Sequence, residues 1–94
     1  MKIEDLKIVC KYERFQQQVI DEGEAPVGTS YYSGKSQEEC ERICEAREDC
    51  HSFAYEPSGL RRCWLKNKAL NGDEPQTQNS ADIYTVYRKC SKIY

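Results

Sequence analysis

The spacing of apolar residues predicts one short amphipathic helix, over about Ser36–Glu48. Cys40, Ile43 and Cys44 recur at three- and four-residue steps and therefore share one face of a helix. Ser36 and the glutamate three residues later have the spacing of a capping box, in which each side chain accepts a hydrogen bond from the other residue's backbone N–H. One face should be buried and bonded, and the other should be acidic and solvated, carrying Glu38, Glu41, Glu45 and Glu48.

Beyond residue 50 the pattern shortens to the two-residue alternation of β-strands. Phe53 and Tyr55 fall on one side of a first strand, and Cys63 and Leu65 fall on one side of a second. A Pro and a Gly lie between the two strands and are typical turn residues, so the strands are predicted to form a hairpin. The other side of its second strand carries Arg62, Trp64 and Lys66.

Two further strands are predicted at 7–12 and 83–87, where β-branched and aromatic residues cluster. A polar loop is predicted at 71–80 because it is rich in Asn, Gly and Pro. The stretch 16–20 fits both a helix and a strand pattern, so the sequence leaves it open.

The supply of apolar residues is small for a folded chain. Leu, Ile, Val and Phe make up 16 of the 94 residues. Such a low aliphatic content with a high net charge would indicate disorder, but the net charge is only -2. A chain of this size buries roughly two-thirds of its unfolded surface, and six cysteines can form three disulfides that reinforce it.

Composition also argues against several classes of protein. No stretch approaches the roughly 20 apolar residues of a membrane span. The isoelectric point of about 5.4 argues against strong nucleic-acid binding, which needs a basic surface. His51 is the one histidine and the core is small, so neither an active site nor a bound cofactor is expected.

The six cysteines could bind metal, catalyse a reaction or form disulfides. Zinc sites commonly repeat short Cys pairs, but Cys40-x3-Cys44 has no second short pair. A catalytic thiol needs a base, and His51 follows a cysteine that is expected to be paired. An even cysteine count in a short chain with a small core favours three disulfides, for which composition alone leaves 15 pairings.

The order of these features resembles the PAN/apple domain family. The motif is Cys10…Cys40-x3-Cys44-x5-Cys50-x2-Phe53-x-Tyr55…Cys63-Trp64-Leu65-Lys66…Cys90, and it covers about residues 10–90. The resemblance implies a small, disulfide-rich α+β domain, in which an antiparallel sheet of about five strands packs against the one helix. It also implies the disulfides Cys10–Cys90, Cys40–Cys63 and Cys44–Cys50.

The resemblance further implies a non-catalytic extracellular module that mediates adhesion. Its partner would be an extracellular protein or a glycan, sulfated glycans included, without nucleic acid. The charged N-terminus lacks the apolar core of a signal peptide, which fits a single domain over 1–94 that is one module of a larger secreted protein. Such modules occur in tandem arrays. The alternative is a stand-alone secreted effector, such as an inhibitor of platelet adhesion or of a protease.

The first candidate binding surface is the exposed side of the hairpin. Four cations lie beside one indole there, which suits a sulfated glycan or an acidic protein surface; the residues are Arg61, Arg62, Trp64, Lys66 and Lys68. The alternative is that Trp64 only covers the second face of the sheet while the cations are solvated.

Tyr31 and Tyr32 form a second candidate. Aromatic rings beside the hydroxyls of Thr29 and Ser30 suit a sugar or a protein hot spot, although a plain β-strand explains them equally well. A basic patch could extend to the C-terminus, or these cations could simply be solvated: Arg88, Lys89 and Lys92.

Overall fold

Four antiparallel strands and one helix make up the part of the chain that the structure describes. The structure is a computed structural model and describes residues 7–78 and 82–93. In chain order the elements are β1 (Lys7–Arg14), α1 (Gln37–Glu45), β2 (Ser52–Tyr55), β3 (Cys63–Lys66) and β4 (Tyr84–Ile93). The strands lie in the order β1-β4-β2-β3, and each neighbouring pair is antiparallel. This is the α+β arrangement that the sequence predicts.

Helix α1 begins where the capping box places it. The Ser36 hydroxyl accepts a hydrogen bond from the Glu39 N–H at 3.1 Å, and the Glu39 carboxylate accepts one from the Ser36 N–H at 2.9 Å. This second bond lowers the pKa of Glu39 because it favours the charged carboxylate. The two side chains thus satisfy two backbone donors that the first turn would otherwise leave open.

The helix ends at Glu45, three residues before the predicted end at Glu48. Beyond it the chain tightens, because the Arg47 N–H donates to the Cys44 carbonyl at 3.0 Å and the Cys50 N–H donates to the Arg47 carbonyl at 3.4 Å. These turns fold Cys50 back to Cys44, with which it forms a disulfide. A helix that continued to Glu48 would carry Cys50 further along the axis and away from its partner.

Strands β2 and β3 form the predicted hairpin. Ala54 lies directly opposite Trp64 in its register. Cys63 and Leu65 are fully buried, whereas Trp64 and Lys66 are partly exposed, as strand alternation predicts.

The described sheet has four strands, where the resemblance implies about five. Tyr32 forms only a single bridge to Cys63, in which each backbone N–H donates to the other residue's carbonyl, at 2.9 and 2.8 Å. Gly34 then turns the chain toward the helix with a positive φ of 69°. The chain therefore leaves the edge of β3 after one bridge, and no fifth strand forms in the part that the structure describes.

Strands β1 and β4 are both longer than predicted. They pair along eight residues, from Lys7 opposite Ile93 to Arg14 opposite Val86, so β1 does not end at residue 12 and β4 does not end at residue 87. Of the predicted 71–80 loop, residues 71–78 contain no strand or helix, and the last two residues lie outside the described part.

The sheet separates two buried clusters. The larger one lies under the helix and contains Cys40, Cys44, Cys50, Phe53, Tyr55, Cys63, Leu65, Tyr84 and Val86. The smaller one contains Phe15, Val19, Leu70 and Tyr87. The larger cluster is covered by the helix. Phe15 and Val19, which follow β1, help to cover the opposite face of the sheet.

The segment after β1 is fixed by a buried polar contact. The Thr85 hydroxyl accepts a hydrogen bond from the Val19 N–H at 2.8 Å and donates one to the Glu22 carboxylate at 2.6 Å. Gln18 donates a third bond to Glu22 at 2.8 Å. Glu22 is only 7% exposed, and its carboxylate is thus satisfied by neutral donors. These bonds hold the stretch 16–20, for which the sequence predicts neither a helix nor a strand unambiguously.

The three disulfides have different exposures. The structure pairs Cys10–Cys90, Cys40–Cys63 and Cys44–Cys50, which is the pairing that the resemblance implies. Cys10 and Cys90 face each other on β1 and β4, and Cys90 is exposed. The other four cysteines are at most 1% exposed and belong to the cluster under the helix.

Replacing Ser36 with alanine removes the acceptor of the Glu39 N–H. We expect the free energy of unfolding to fall by about 1 kcal/mol, measured by urea denaturation with the disulfides intact. Ser33→Ala is the matched control because Ser33 is exposed in the loop before the helix. An equal loss in both variants would show that the capping box does not stabilise the domain.

Mild reduction should open Cys10–Cys90 before the other two disulfides, because a thiolate must reach the sulfur that it attacks. Brief treatment with dithiothreitol, alkylation and peptide mapping should therefore label Cys10 and Cys90 first. Mapping of the unreduced protein checks the pairing itself. Labelling of a helix cysteine before Cys90 would contradict the exposures given above.

Candidate ligand-binding surface

Trp64 lies on the face of the hairpin that points away from helix α1. Its neighbours Cys63 and Leu65 are buried under the helix, so strand alternation turns the indole to the other side. Directly opposite on β2 is Ala54, whose small side chain leaves space beside the indole. The result is a cleft of about 250 Å³, which is lined by Gln18, Ala54, Trp64, Lys66 and Ile83.

Tyr31, Arg62 and Trp64 stack next to this cleft. The centroids of the Tyr31 and Trp64 rings are 6.1 Å apart, and the rings are tilted by 45°. The guanidinium carbon of Arg62 lies 5.0 Å from the Trp64 centroid and 5.6 Å from the Tyr31 centroid. Both distances suit cation–π contacts. Tyr31 is 47% exposed, so the stack stands at the surface.

Glu56 holds Arg62 in this position. Two nitrogens of the Arg62 guanidinium donate to the two carboxylate oxygens of Glu56, at 2.9 and 3.0 Å. These bonds hold the pKa of Glu56 below its usual value and raise the pKa of Arg62, because each charge favours the other. Arg62 is therefore neutralised by its partner, and it orders the two rings more than it offers a free charge.

Arg61 and Lys66 are the hairpin cations that a ligand can use. Neither forms an ion pair with a residue in the described part of the chain. Arg61 is exposed at the turn, where its φ of 50° is rare for a residue with a side chain. This conformation accompanies a hydrogen bond from the Lys35 N–H to the Arg61 carbonyl at 3.2 Å. Lys66 lines the cleft beside Trp64.

Tyr31 and Tyr32 have separate environments. The Tyr32 ring packs against the cluster under the helix, whereas Tyr31 contacts Trp64 on the other face. The backbone bridge of Tyr32 to Cys63 gives this segment strand-like alternation, which explains the separation. Tyr31 alone joins the candidate surface, and Tyr32 supports the fold.

The other predicted cations are engaged elsewhere. Lys68, which the sequence groups with the hairpin, and two of the cations of β4 form ion pairs: Lys68 with Asp21 at 2.9 Å, Arg88 with Glu45 at 2.9 Å and Lys89 with Glu13 at 3.3 Å. The side chain of Lys92 lies outside the described part. The candidate surface therefore consists of Tyr31, Arg62, Trp64 and Lys66 with the cleft beside them, and we call it the Trp64 surface. Arg61 is exposed at the turn, but its charge acts on Tyr55 under the helix, so it does not join this surface.

Four residues that line or support this surface were not selected from the sequence: Gln18, Ala54, Glu56 and Ile83. Glu56 could have been found, because extending the hairpin register by one pair beyond Tyr55 and Cys63 places it opposite Arg62. Gln18 and Ile83 come from distant segments, and no local pattern indicates that they line a cleft with Trp64.

The Trp64 surface offers aromatic stacking, hydrogen bonding and positive charge. In residues 7–78 and 82–93, no group of three or more His, Cys, Asp or Glu side chains is placed to hold a metal ion. The helix there has nine residues, whereas a bilayer span needs about 20, and no described helix could cross a membrane.

Comparison with known proteins identifies the fold. The family model of the PAN domain matches residues 10–90, from the first disulfide cysteine to the last. No curated protein and no solved structure matches the chain. The family match covers the whole cross-linked unit of one helix and an antiparallel sheet. The chain belongs to the PAN domain family.

Proposed function

We propose that this domain recognises an anionic carbohydrate through the Trp64 surface, without catalysis. PAN domains are protein- or carbohydrate-binding modules of extracellular proteins. Three disulfides together with the family indicate an oxidising, extracellular environment. The observation that carries the proposal is the cleft in which Trp64, Lys66 and Gln18 meet.

The chemistry of the cleft suits a sugar ring. An indole offers an apolar face on which the C–H face of a pyranose can stack, while the Gln18 amide and the Lys66 ammonium can bond to hydroxyl or anionic groups. The cleft of about 250 Å³ is smaller than the roughly 300–1,000 Å³ of pockets for drug-sized ligands. It therefore suits one ring of a longer chain.

The charges around the cleft favour an anionic ligand. Lys66 lines it, and the carboxylate of Glu56 is occupied by Arg62. A sulfate or a carboxylate on the sugar would meet the ammonium without facing an open carboxylate from the hairpin.

The organisation around the domain is part of the same proposal. We propose that the domain acts as one module of a larger secreted adhesion protein, for which a stand-alone secreted effector is the alternative. Sequencing the flanking coding region distinguishes the two, because a further module or a protease domain supports the former and a signal peptide followed by this unit alone supports the latter.

Trp64→Ala should weaken binding to sulfated glycans on an array, and to a heparin column, by about tenfold or more, because it removes the stacking face. Lys66→Glu should have a similar effect by reversing a charge in the cleft. Arg42→Glu is the matched control, since Arg42 is exposed on the helix and the change in net charge is the same. The proposal fails if the unmodified domain binds no glycan, or if the control loses as much affinity as Lys66→Glu.

Glu56→Gln should lower thermal stability at pH 7, because it removes the partner of Arg62. The pKa of Glu56 is lowered in the folded protein, so its stabilising effect is present above the usual value of 4.5 and is lost as the pH falls through the lowered pKa. The melting temperatures of the variant and the parent should therefore converge in acid. A difference that stays constant from pH 7 to pH 2 would mean that the ion pair is not its source.

A further inference from the structure

Strand β1 leaves one edge of the sheet open. The sheet order places β1 and β3 at the two edges. The edge of β3 is partly covered, because Tyr32, Gly34 and Lys35 donate backbone hydrogen bonds to it and to the turn before it. Within residues 7–78 and 82–93, no backbone hydrogen bond from another segment reaches the outer edge of β1. An open edge is a template on which another strand can pair.

The register shows which groups of β1 are open. The Phe15 N–H donates to the Thr85 carbonyl. Phe15 and Thr85 are therefore a hydrogen-bonded pair at the end of the β1–β4 ladder, and the backbone groups of Phe15 point toward β4. Inward bonding alternates along an antiparallel pair, so Val9, Lys11 and Glu13 bond to β4. The residues that direct N–H and C=O outward are then Ile8, Cys10, Tyr12 and Arg14, and we call these groups the open edge.

The Cys10–Cys90 pair agrees with this assignment. Its Cα atoms are 4.0 Å apart, close to the about 4.5 Å of a pair that is not hydrogen-bonded. The disulfide also holds the two strands together where they extend beyond the rest of the sheet, because β2 pairs with β4 only from Tyr84 to Tyr87. The open edge is therefore held in an extended conformation before any partner arrives, which reduces the entropy cost of binding.

The two faces of β1 carry opposite charges. On one face Lys11 is exposed and makes no ion pair with a described residue, while Glu13 is already paired with Lys89. On the other face Cys10 and Tyr12 line a cleft of about 400 Å³ beside the helix. The other residues that line this cleft are Glu38, Glu41, Arg42 and Glu45, of which Glu45 is already paired with Arg88.

This arrangement selects the class of partner. A polyanionic glycan would meet the helix carboxylates beside the edge, so it is disfavoured. A second copy of β1 would place a second Lys11 on the same basic face, and like charges opposite each other destabilise strand pairing. A β-strand with acidic side chains on one face and basic side chains on the other can complement both faces of β1, because successive side chains point to opposite faces.

We propose that the open edge binds an extended segment of a partner protein as an added strand. That segment carries an acidic residue beside Lys11 and basic residues on the face toward Glu38 and Glu41. Apolar residues fit beside Ile8 and Val9, which are 66% and 45% exposed. This site is separate from the Trp64 surface and does not depend on it.

Amide hydrogen exchange followed by NMR tests the register directly. The probe is a synthetic ten-residue peptide rich in Val and Thr, with Glu on one alternate face and Lys on the other. With the peptide at ten times its dissociation constant, the amides of Ile8, Cys10 and Tyr12 should exchange about tenfold more slowly. Those of Val9 and Lys11 should not change, because they already bond to β4.

Matched controls separate the proposal from its alternatives. A peptide of the same composition with its Glu and Lys in two blocks should not protect these amides. Ile8→Pro should abolish the protection because it removes an outward donor without breaking a ladder bond, whereas Ile8→Ala keeps the donor and should bind. Lys11→Glu should weaken binding, and Lys66→Glu on the Trp64 surface should leave it unchanged.

Several results would overturn the proposal. It is wrong if millimolar alternating peptide protects none of the three outward amides, or if the block peptide protects them equally. It is also wrong if heparin protects them instead. Protection that rises with protein concentration alone would assign the edge to a second copy of the chain. Since Lys66→Glu tests the Trp64 surface, failure at one site is distinguishable from failure at the other.

Discussion

Strand β4 imposes the constraint on which the rest of the structure depends. Its backbone bonds alternate between β1 on one side and β2 on the other, and its side chains alternate between the two buried clusters. Val86 thus reaches the cluster under the helix, while Thr85 and Tyr87 reach the opposite face. A slip of one residue would exchange these side chains and would also separate Cys90 from Cys10. One register therefore determines both cores, the terminal cross-link and which backbone groups of β1 stay open.

The small supply of apolar residues is reflected in the composition of the cores. Four of the nine residues in the cluster under the helix are cysteines, so the disulfides fill volume as well as restrict the unfolded chain. On the opposite face, the cover over the sheet is fixed partly by the buried contact between Thr85 and Glu22. Trp64 belongs to neither cluster, which leaves a large aromatic side chain partly exposed on the hairpin.

What the sequence could predict follows from the range of the interactions. The helix start depends on Ser36 and its third neighbour, and the hairpin depends on alternation around a short turn, so both can be inferred locally. The helix end could not, because it follows from the closure of Cys44 onto Cys50. The Trp64 cleft could be predicted only in part. Trp64 and Lys66 lie on one predicted strand face, whereas Gln18 belongs to a segment with no clear pattern. The placement of Glu22 beneath the surface depends on Thr85, 63 residues away.

The position of the terminal disulfide has a mechanical consequence. Lys7 lies opposite Ile93, so the chain enters and leaves the domain at the same place. A tension applied through these two residues would pass across the covalent bond between Cys10 and Cys90, and the 80-residue loop that it closes would bear no load. The loop between Cys10 and Cys90 would therefore stay folded, and the distance between Lys7 and Ile93 would increase little under tension. The Trp64 surface lies within this closed loop and would keep its shape under forces that would stretch a domain with ends at opposite poles, whereas Ile8 lies outside the loop and would bear the load.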